Sequence, residues 1–378
     1  MKIALPNARG KLIDFKLTTA PLKVIKPKHA FNRVAFAAAH VVADPLALGS
    51  IDWKATLAYR RYLLKQGFGI AEAMDTSQRG MGLSWDDALE LIRHSLADAG
   101  EDQHKIYSGC GTDHLDLAQV RSLDDVIRAY DLQLEAIQKL GGRIILMASR
   151  ALVRMAKSPD DYIKVYSHVL SQADHPVILH WLGPMFDPAL AGYWGGNSFM
   201  MNMETCLAMI NANVSKVDGI KISLLDADKE ISMRRALPAS VEMYTGDDFN
   251  YADLIVGDAQ GHSHALLGIF DAIAPAASQA LAALAAGNTT KFHALLAPTV
   301  PLSRLIFSAP TQYYKTGIVF LAWLNGFQNH FTMIAGAQSA RPLGYFVEVF
   351  TLAEQAGLLL KPDLAVKRMK HFLAMHGF

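Results

Sequence analysis

Eight short apolar runs, each followed by an amphipathic stretch, constrain this chain more than any other feature. The runs are residues 33–42, 67–74, 105–109, 143–147, 176–180, 217–223, 240–245 and 265–270. Between them the pattern changes to a helical one: residues 52–66 carry apolar side chains near a 3.6-residue spacing. Ser84-Trp85-Asp86-Asp87, Ser122-Leu123-Asp124-Asp125 and Ser158-Pro159-Asp160-Asp161 read as capping boxes. The last also puts proline in the first helical turn, where its missing N–H costs nothing. Regular alternation predicts a parallel sheet with crossover helices. Eight units over roughly 240 residues match an α/β fold of the (β/α)8 TIM-barrel type in number and size. An open, doubly wound sheet is the alternative. No glycine-rich dinucleotide fingerprint follows an early strand, which weakens it.

The alternation occupies residues 33–277. Residues 1–32 form a basic lead-in of irregular or hairpin-like pattern. From 278 to 378 the strand signals stop, and helical patterns follow, broken at Pro298-Thr299-Val300-Pro301, Ser308-Ala309-Pro310 and Arg341-Pro342. A helical C-terminal subdomain is expected there.

A hydrophobic content of 51% supplies a large core. A net charge of +1 gives no electrostatic case for nucleic acid or an anionic membrane surface. The two cysteines, Cys110 and Cys206, have no metal-type or redox-type spacing. The first 17 residues lack the apolar core of a signal peptide, and no run approaches the roughly 20 residues of a membrane span. A cytoplasmic protein is expected, with a small-molecule partner, no cofactor and no bound metal.

Barrel active sites form from the loops after the strands. The polar residues near those positions are His40 and Asp44; Glu72, Asp75, Thr76, Ser77 and Arg79; Asp113 and His114; Ser149 and Arg150; His180; Lys221; Asp247 and Asp248; and His262 with His264 around the eighth run. Lys221, in Gly219-Ile220-Lys221-Ile222-Ser223, is the most informative. A lysine whose stem is walled by barrel side chains loses solvation, which disfavours its ammonium form. The neutral amine can attack a ketone and form a Schiff base. Structural alternatives stand beside each reading. A strand-end lysine can snorkel to water, Thr76-Ser77 can be turn formers, Asp247-Asp248 can cap the next helix, and a single histidine can be a hydrogen-bonded structural residue.

The order of these motifs resembles the dihydrodipicolinate synthase and N-acetylneuraminate lyase superfamily, more narrowly a branch described as a domain of unknown function. The resemblance spans about residues 33–365 and rests on Gly219-Ile220-Lys221, on Gly246-Asp247-Asp248 and on the loop Asp75-Thr76-Ser77-Gln78-Arg79-Gly80. It implies a class I aldolase or lyase acting on a 2-keto acid, possibly sugar-derived. Lys221 would be the Schiff-base nucleophile and Thr76 a further catalytic residue, with Thr76 and Ser77 at the substrate carboxylate and Asp247 and His114 contributing to substrate binding. It also implies a homo-oligomer, a dimer or tetramer, and the apolar stretch 313–331 points the same way. The chain departs from the family where it matters for proton transfer. His180 stands where well-known members have a tyrosine, Ala148-Ser149-Arg150 replaces a tyrosine pair, and Gln78-Arg79 replaces Gly-Glu. His180 is therefore the expected proton relay, and Arg79 and Arg150 are expected to bind an acidic or polyhydroxylated substrate through their fork geometry. A second reading is a metal-dependent hydrolase or isomerase using His40, Glu72, Asp113, His114, His180 and His264 as ligands.

Overall fold

The structure of the chain is a computed structural model, and every residue except Leu48 is described. Among the described residues ten strands form in two groups. β1 (Lys2–Pro6) and β2 (Leu12–Lys16) make an antiparallel hairpin in the lead-in. β3 (Ala35–Ala38), β4 (Gly69–Glu72), β5 (Ile106–Cys110), β6 (Arg143–Leu146), β7 (Val177–Leu182), β8 (Val217–Ser223), β9 (Glu242–Thr245) and β10 (His264–Leu267) are parallel and close into an eight-stranded barrel, β10 pairing with β3. The (β/α)8 barrel expected from the alternation is the fold observed.

The strands stay apolar because both faces are covered. All of β7 is buried, and within β8 only Asp218 is less than fully buried. Alternate residues face the lumen. Phe36, Ala38, Ala71, Ile145, Ile178, Tyr244 and Leu266 pack together there. Lumen space is tight at Gly219, where a Cβ would lie 2.5 Å from the Glu242 carbonyl oxygen and 2.6 Å from the Tyr244 ring.

Helix starts follow the serine signals. Ser84 accepts from Asp87 N at 3.1 Å to open Trp85–Ala99. Ser122 and Ser158 form both arms of a capping box with Asp125 and Asp161, opening Leu123–Lys139 and Pro159–Ser171.

Several strand ends differ from the sequence expectation, and the differences move site residues. β3 stops at Ala38, so His40 lies two residues beyond it. β7 runs on to Leu182, because Trp181 and Leu182 are apolar and bury on the outer side and at the rim. His180 is therefore inside a strand and not at its end. Lys221 is likewise inside β8, with Ser223 the terminal residue. β10 stops at Leu267 and is followed by a helical turn, Ile269–Ala272. His262 and His264 lie at the N-terminal start of β10, so they belong to the end of the barrel opposite the strand C-termini.

The chain divides into two packing units. One comprises residues 33–38 and 69–267 and holds all eight barrel strands. The other comprises residues 1–32, 39–68 and 268–378. Within this second unit the lead-in is tied down by Glu354, whose Oε1 accepts from Thr18 N at 2.6 Å and Thr19 N at 2.7 Å. The helix Tyr314–Leu324 is buried along its whole length, with Phe320 packed on Phe346 and Phe372 at 4.8 and 5.1 Å between ring centroids. Its apolar character is thus used inside the subunit, which removes that stretch as an argument for oligomerisation. Among the described residues no helix is long and apolar enough to cross a membrane.

Gly219→Ala should destabilise the fold by about 1–3 kcal/mol, since the added methyl meets backbone at one side and a buried ring at the other. Denaturant unfolding checks this. A midpoint equal to that of the parent would mean the barrel relaxes around the methyl.

Candidate active site

Lys221 faces the lumen from β8, in register with His180 on β7 and Tyr244 on β9. Its room comes from Gly246, just after β9. A Cβ at that position would overlap the Ser223 hydroxyl and lie 2.8 Å from Lys221 Cε. Burial lowers the lysine pKa from its usual value, and the carboxylates of Asp248 and Asp75 partly oppose that shift. His180 is buried, its Nε2 3.2 Å from Ser223 Oγ. Desolvation, reinforced by the charge of Lys221, holds its pKa well below the ordinary imidazole range. A lysine and a neutral imidazole thus share one buried site, with a serine hydroxyl bonded to the imidazole.

Thr76 and Ser77 sit in the short 3-10 turn Asp75–Ser77 after β4, both buried. Left-handed residues, Ala73 at φ 50° and Gln78 at φ 66°, bracket this turn. Non-glycine residues rarely hold that conformation without tertiary support.

A pocket opens on these elements. Its cavity volume is about 90 Å³, and its wall includes Asp75, Thr112, His180 and Arg150. Lys221, Thr76 and Ser77 are not on that wall; two of the wall residues, His180 and Asp75, are electrostatic neighbours of Lys221.

Arg79 also edges the pocket, but its donors are spent. Nε donates to Asp113 Oδ2 at 2.8 Å, Nη1 to the carbonyls of Ala73 and Gly109 at 3.2 and 3.1 Å, and Nη2 to Gln133 Oε1 at 3.0 Å and to Asp113 Oδ1. Five N–H groups with five internal acceptors leave no fork for a substrate. The structure makes Arg79 a clamp between the loops after β4 and β5 and the helix Leu123–Lys139. Asp113 is pushed up by burial, but the bonds from Arg79 outweigh this and hold it below its usual range. Arg150 differs. Its Nε donates to Asp187 Oδ2 at 2.5 Å, while its Nη edge faces Gly80, where a Cβ would still be 4.0 Å away.

The remaining expected residues fall elsewhere. Asp247 Oδ1 accepts from Phe249 N at 2.8 Å and Asn250 N at 3.0 Å, and Oδ2 accepts from Asn250 Nδ2 at 2.8 Å. It therefore holds the turn that precedes the helix Tyr251–Val256, while its neighbour Asp248 is the one that acts electrostatically on Lys221. His114 Nδ1 lies 2.9 Å from Gln133 Nε2, with its ring beside Trp85, and it is not on the pocket wall. Burial lowers its pKa, as does Arg79, against the pull of Asp113.

The residues of the metal reading do not converge. Glu72 accepts from Ser95 Oγ at 2.6 Å on the helix side of the sheet. His40 Nδ1 is 2.8 Å from Asp271 Oδ2, and His264 Nδ1 accepts from Val34 N at 3.2 Å. Among the described residues no three His, Cys, Asp or Glu side chains are grouped as metal ligands.

Asp75, Asp248, Ser223 and Asp187 were not singled out for these roles by sequence reasoning. The alternation of β8 could have revealed Ser223, two residues beyond Lys221 on the same face. Nothing in the sequence separates Asp248 from Asp247. Two tyrosines from other segments pack behind the loop after β6. Tyr193 Oη accepts from Ser149 N at 3.1 Å and lies 2.7 Å from Tyr166 Oη. Tyr193 is buried, and its pKa is pushed up to about 12.

Residues 3–378 match the profile of the family described as "Protein of unknown function (DUF993)", and the chain belongs to that family. No curated protein matches it. Its fold is that of solved dihydrodipicolinate synthase structures. The enzyme from Aquifex aeolicus aligns at TM-score 0.66 and 12% identity, over 87% of this chain and 99% of that one. The enzyme from Thermotoga maritima aligns at 0.64 and 17%, over 87% and 100%. A prophage protein of the dihydrodipicolinic acid synthase family from E. coli K12, solved with pyruvate, aligns at 0.68 and 16%, over 87% and 100%. The resemblance expected from the motifs is thus found at the level of the fold.

Arg79→Met should cost about 3–5 kcal/mol, the usual penalty for stripping one partner from a buried ion pair, and Arg79→Lys should recover only part of it, because a single ammonium cannot reach five acceptors. Thermal unfolding of both variants tests this. A stable Arg79→Met protein that has lost only substrate affinity would return Arg79 to a binding role.

Proposed function

We propose that this DUF993 protein is a Schiff-base lyase or aldolase that cleaves or forms a carbon–carbon bond next to a 2-keto acid. The observation that carries the reading is the pairing, across β7 and β8, of a buried lysine of lowered pKa with a buried neutral imidazole. The relatives in fold include dihydrodipicolinate synthases and a protein solved with pyruvate, which supports the same chemistry.

In the proposed sequence the neutral Lys221 amine attacks the ketone carbon and gives a carbinolamine. Loss of water yields the imine, which is protonated on nitrogen. In the cleavage direction a base removes the proton of the hydroxyl two carbons from the imine carbon. That hydroxyl becomes a carbonyl, the bond between its carbon and the next breaks, and the electron pair moves to form an enamine. The aldehyde leaves. The enamine carbon takes up a proton, and water hydrolyses the imine to return the keto acid and the free amine. His180, neutral through burial, is the base, and Ser223, bonded to its Nε2, is positioned to pass the proton. Thr76 and Ser77, in their buried turn, receive the keto-acid carboxylate. Asp75 and Asp248 favour the protonated nitrogen of the imine by charge.

Pyruvate with borohydride should add mass at Lys221 and nowhere else. Absence of an adduct over a broad keto-acid panel would overturn the imine mechanism. His180→Phe should lower turnover by about a hundredfold or more yet leave the borohydride adduct in place, because the lysine is untouched. An unchanged rate would move the relay away from His180.

The pH dependence follows from the sign of the shifts. A base works when deprotonated, and the His180 pKa is depressed, so the acid limb of turnover should lie below the ordinary imidazole value of about 6.5. Lys221 must also be deprotonated to attack, so imine formation should rise with pH and level off below the usual lysine value of about 10.4. A turnover profile whose acid limb falls at or above the ordinary imidazole value would contradict this assignment.

A further inference from the structure

Burial orders the pocket by depth. His180 and Arg150 line one pocket; His180 is buried, whereas the Arg150 side chain is 45% exposed, so the imidazole is at the deep end and Arg150 at the mouth. Much of the wall is apolar, built from Leu115, Leu117, Met147, Leu182 and Leu190. Most of the wall's polar groups already have partners in the protein. Thr112 Oγ1 is 2.6 Å from Ser149 Oγ, Asp113 is engaged by Arg79, and Asp187 Oδ1 accepts from Ala189 N at 3.1 Å while its Oδ2 accepts from Arg150. A polyhydroxylated chain would lie against this wall with few new bonds, and each hydroxyl would surrender its water for little return. At the mouth the arrangement is reversed. Asp187 holds the Nε edge of Arg150, fixing the guanidinium plane, while the Nη groups, beside Gly80, make no hydrogen bond with the described residues. A fixed guanidinium with a clear outer edge suits a terminal anion.

We propose that, within the Schiff-base reading above, the aldehyde half of the substrate has an apolar body ending in an anionic group, a carboxylate or a phosphate, which Arg150 binds at the mouth. Polyhydroxylated sugar aldehydes are then poor partners. The class of substrate is an aryl or alkyl aldehyde acid and not a sugar fragment.

The test uses the whole protein with saturating pyruvate and four aldehydes: para-formylbenzoate, para-formylphenyl phosphate, benzaldehyde and glyceraldehyde. At least one of the two anionic aldehydes should exceed benzaldehyde by about tenfold or more in kcat/KM, and whichever leads identifies the anion. Benzaldehyde should exceed glyceraldehyde. Arg150→Met should bring the anionic-to-neutral ratio close to one, and Arg150→Lys should restore part of it. Leu117→Gln should lower the preference for benzaldehyde over glyceraldehyde, giving an independent readout should Arg150→Met fail to fold. Faster turnover of glyceraldehyde than of every benzaldehyde, or an anionic preference that survives Arg150→Met, overturns the proposal. Calorimetric binding of para-toluate, which cannot form an imine, is measured beside the borohydride trap. Arg150-dependent binding of para-toluate supports the anion site even where no adduct forms, whereas an adduct without such binding keeps the imine and overturns the site.

Discussion

Closure of eight parallel strands is the constraint on which the site depends. Once β10 pairs with β3, every strand has a fixed inward face, and a residue's parity decides whether it meets the lumen or the helices. On β8 that face carries Gly219, Lys221 and Ser223 in succession. Gly219 yields space to the Tyr244 ring below, Lys221 follows, and Ser223 stands above it, bonded to His180 from the neighbouring strand. The lysine's lowered pKa is a consequence of that placement. The same side chain one residue along would lie on the outer face, among the covering helices. Gly246 belongs to the same design, because any side chain there would displace the lysine stem.

Two arginines show how context separates structural from binding roles. Arg79 and Arg150 both reach the pocket wall. Arg79 meets five acceptors, two of them buried backbone carbonyls near the ends of β4 and β5, and fastens the loops after β4 and β5 in place. It contributes to the site by holding its walls. Arg150 meets a single carboxylate and keeps one edge open. Guanidinium donors are directional and countable, so the number already used decides what remains for a ligand.

Electrostatics at Lys221 are balanced between desolvation and charge. Burial drives Lys221 toward its neutral form, while Asp75 and Asp248 pull it back toward the cation. The proposed Schiff-base chemistry, with a neutral nucleophile at one step and a protonated imine at another, would draw on both influences. The neighbouring Asp247, spent on holding the turn, keeps Asp248 where its charge is felt.

The alternation of apolar runs and capped amphipathic stretches determined the barrel by itself, because strand burial and helix starts are local patterns with fixed periods. The lysine was legible for the same reason: it is a lone charge in an otherwise apolar strand. Strand ends were less legible. Trp181 and Leu182 prolong β7 through burial, which the sequence does not distinguish from a loop's apolar contacts. What only the tertiary structure decided is the division of labour among similar residues. Asp247 holds a turn while Asp248 acts on the lysine, Arg79 clamps while Arg150 stays open, and His264 starts a strand at the far end while His180 stands beside Lys221. Each pair shares a residue type, and the difference lies in partners brought from distant parts of the chain. Hydrogen-bond partners and desolvation are properties of the packed neighbourhood, and no local spacing encodes them.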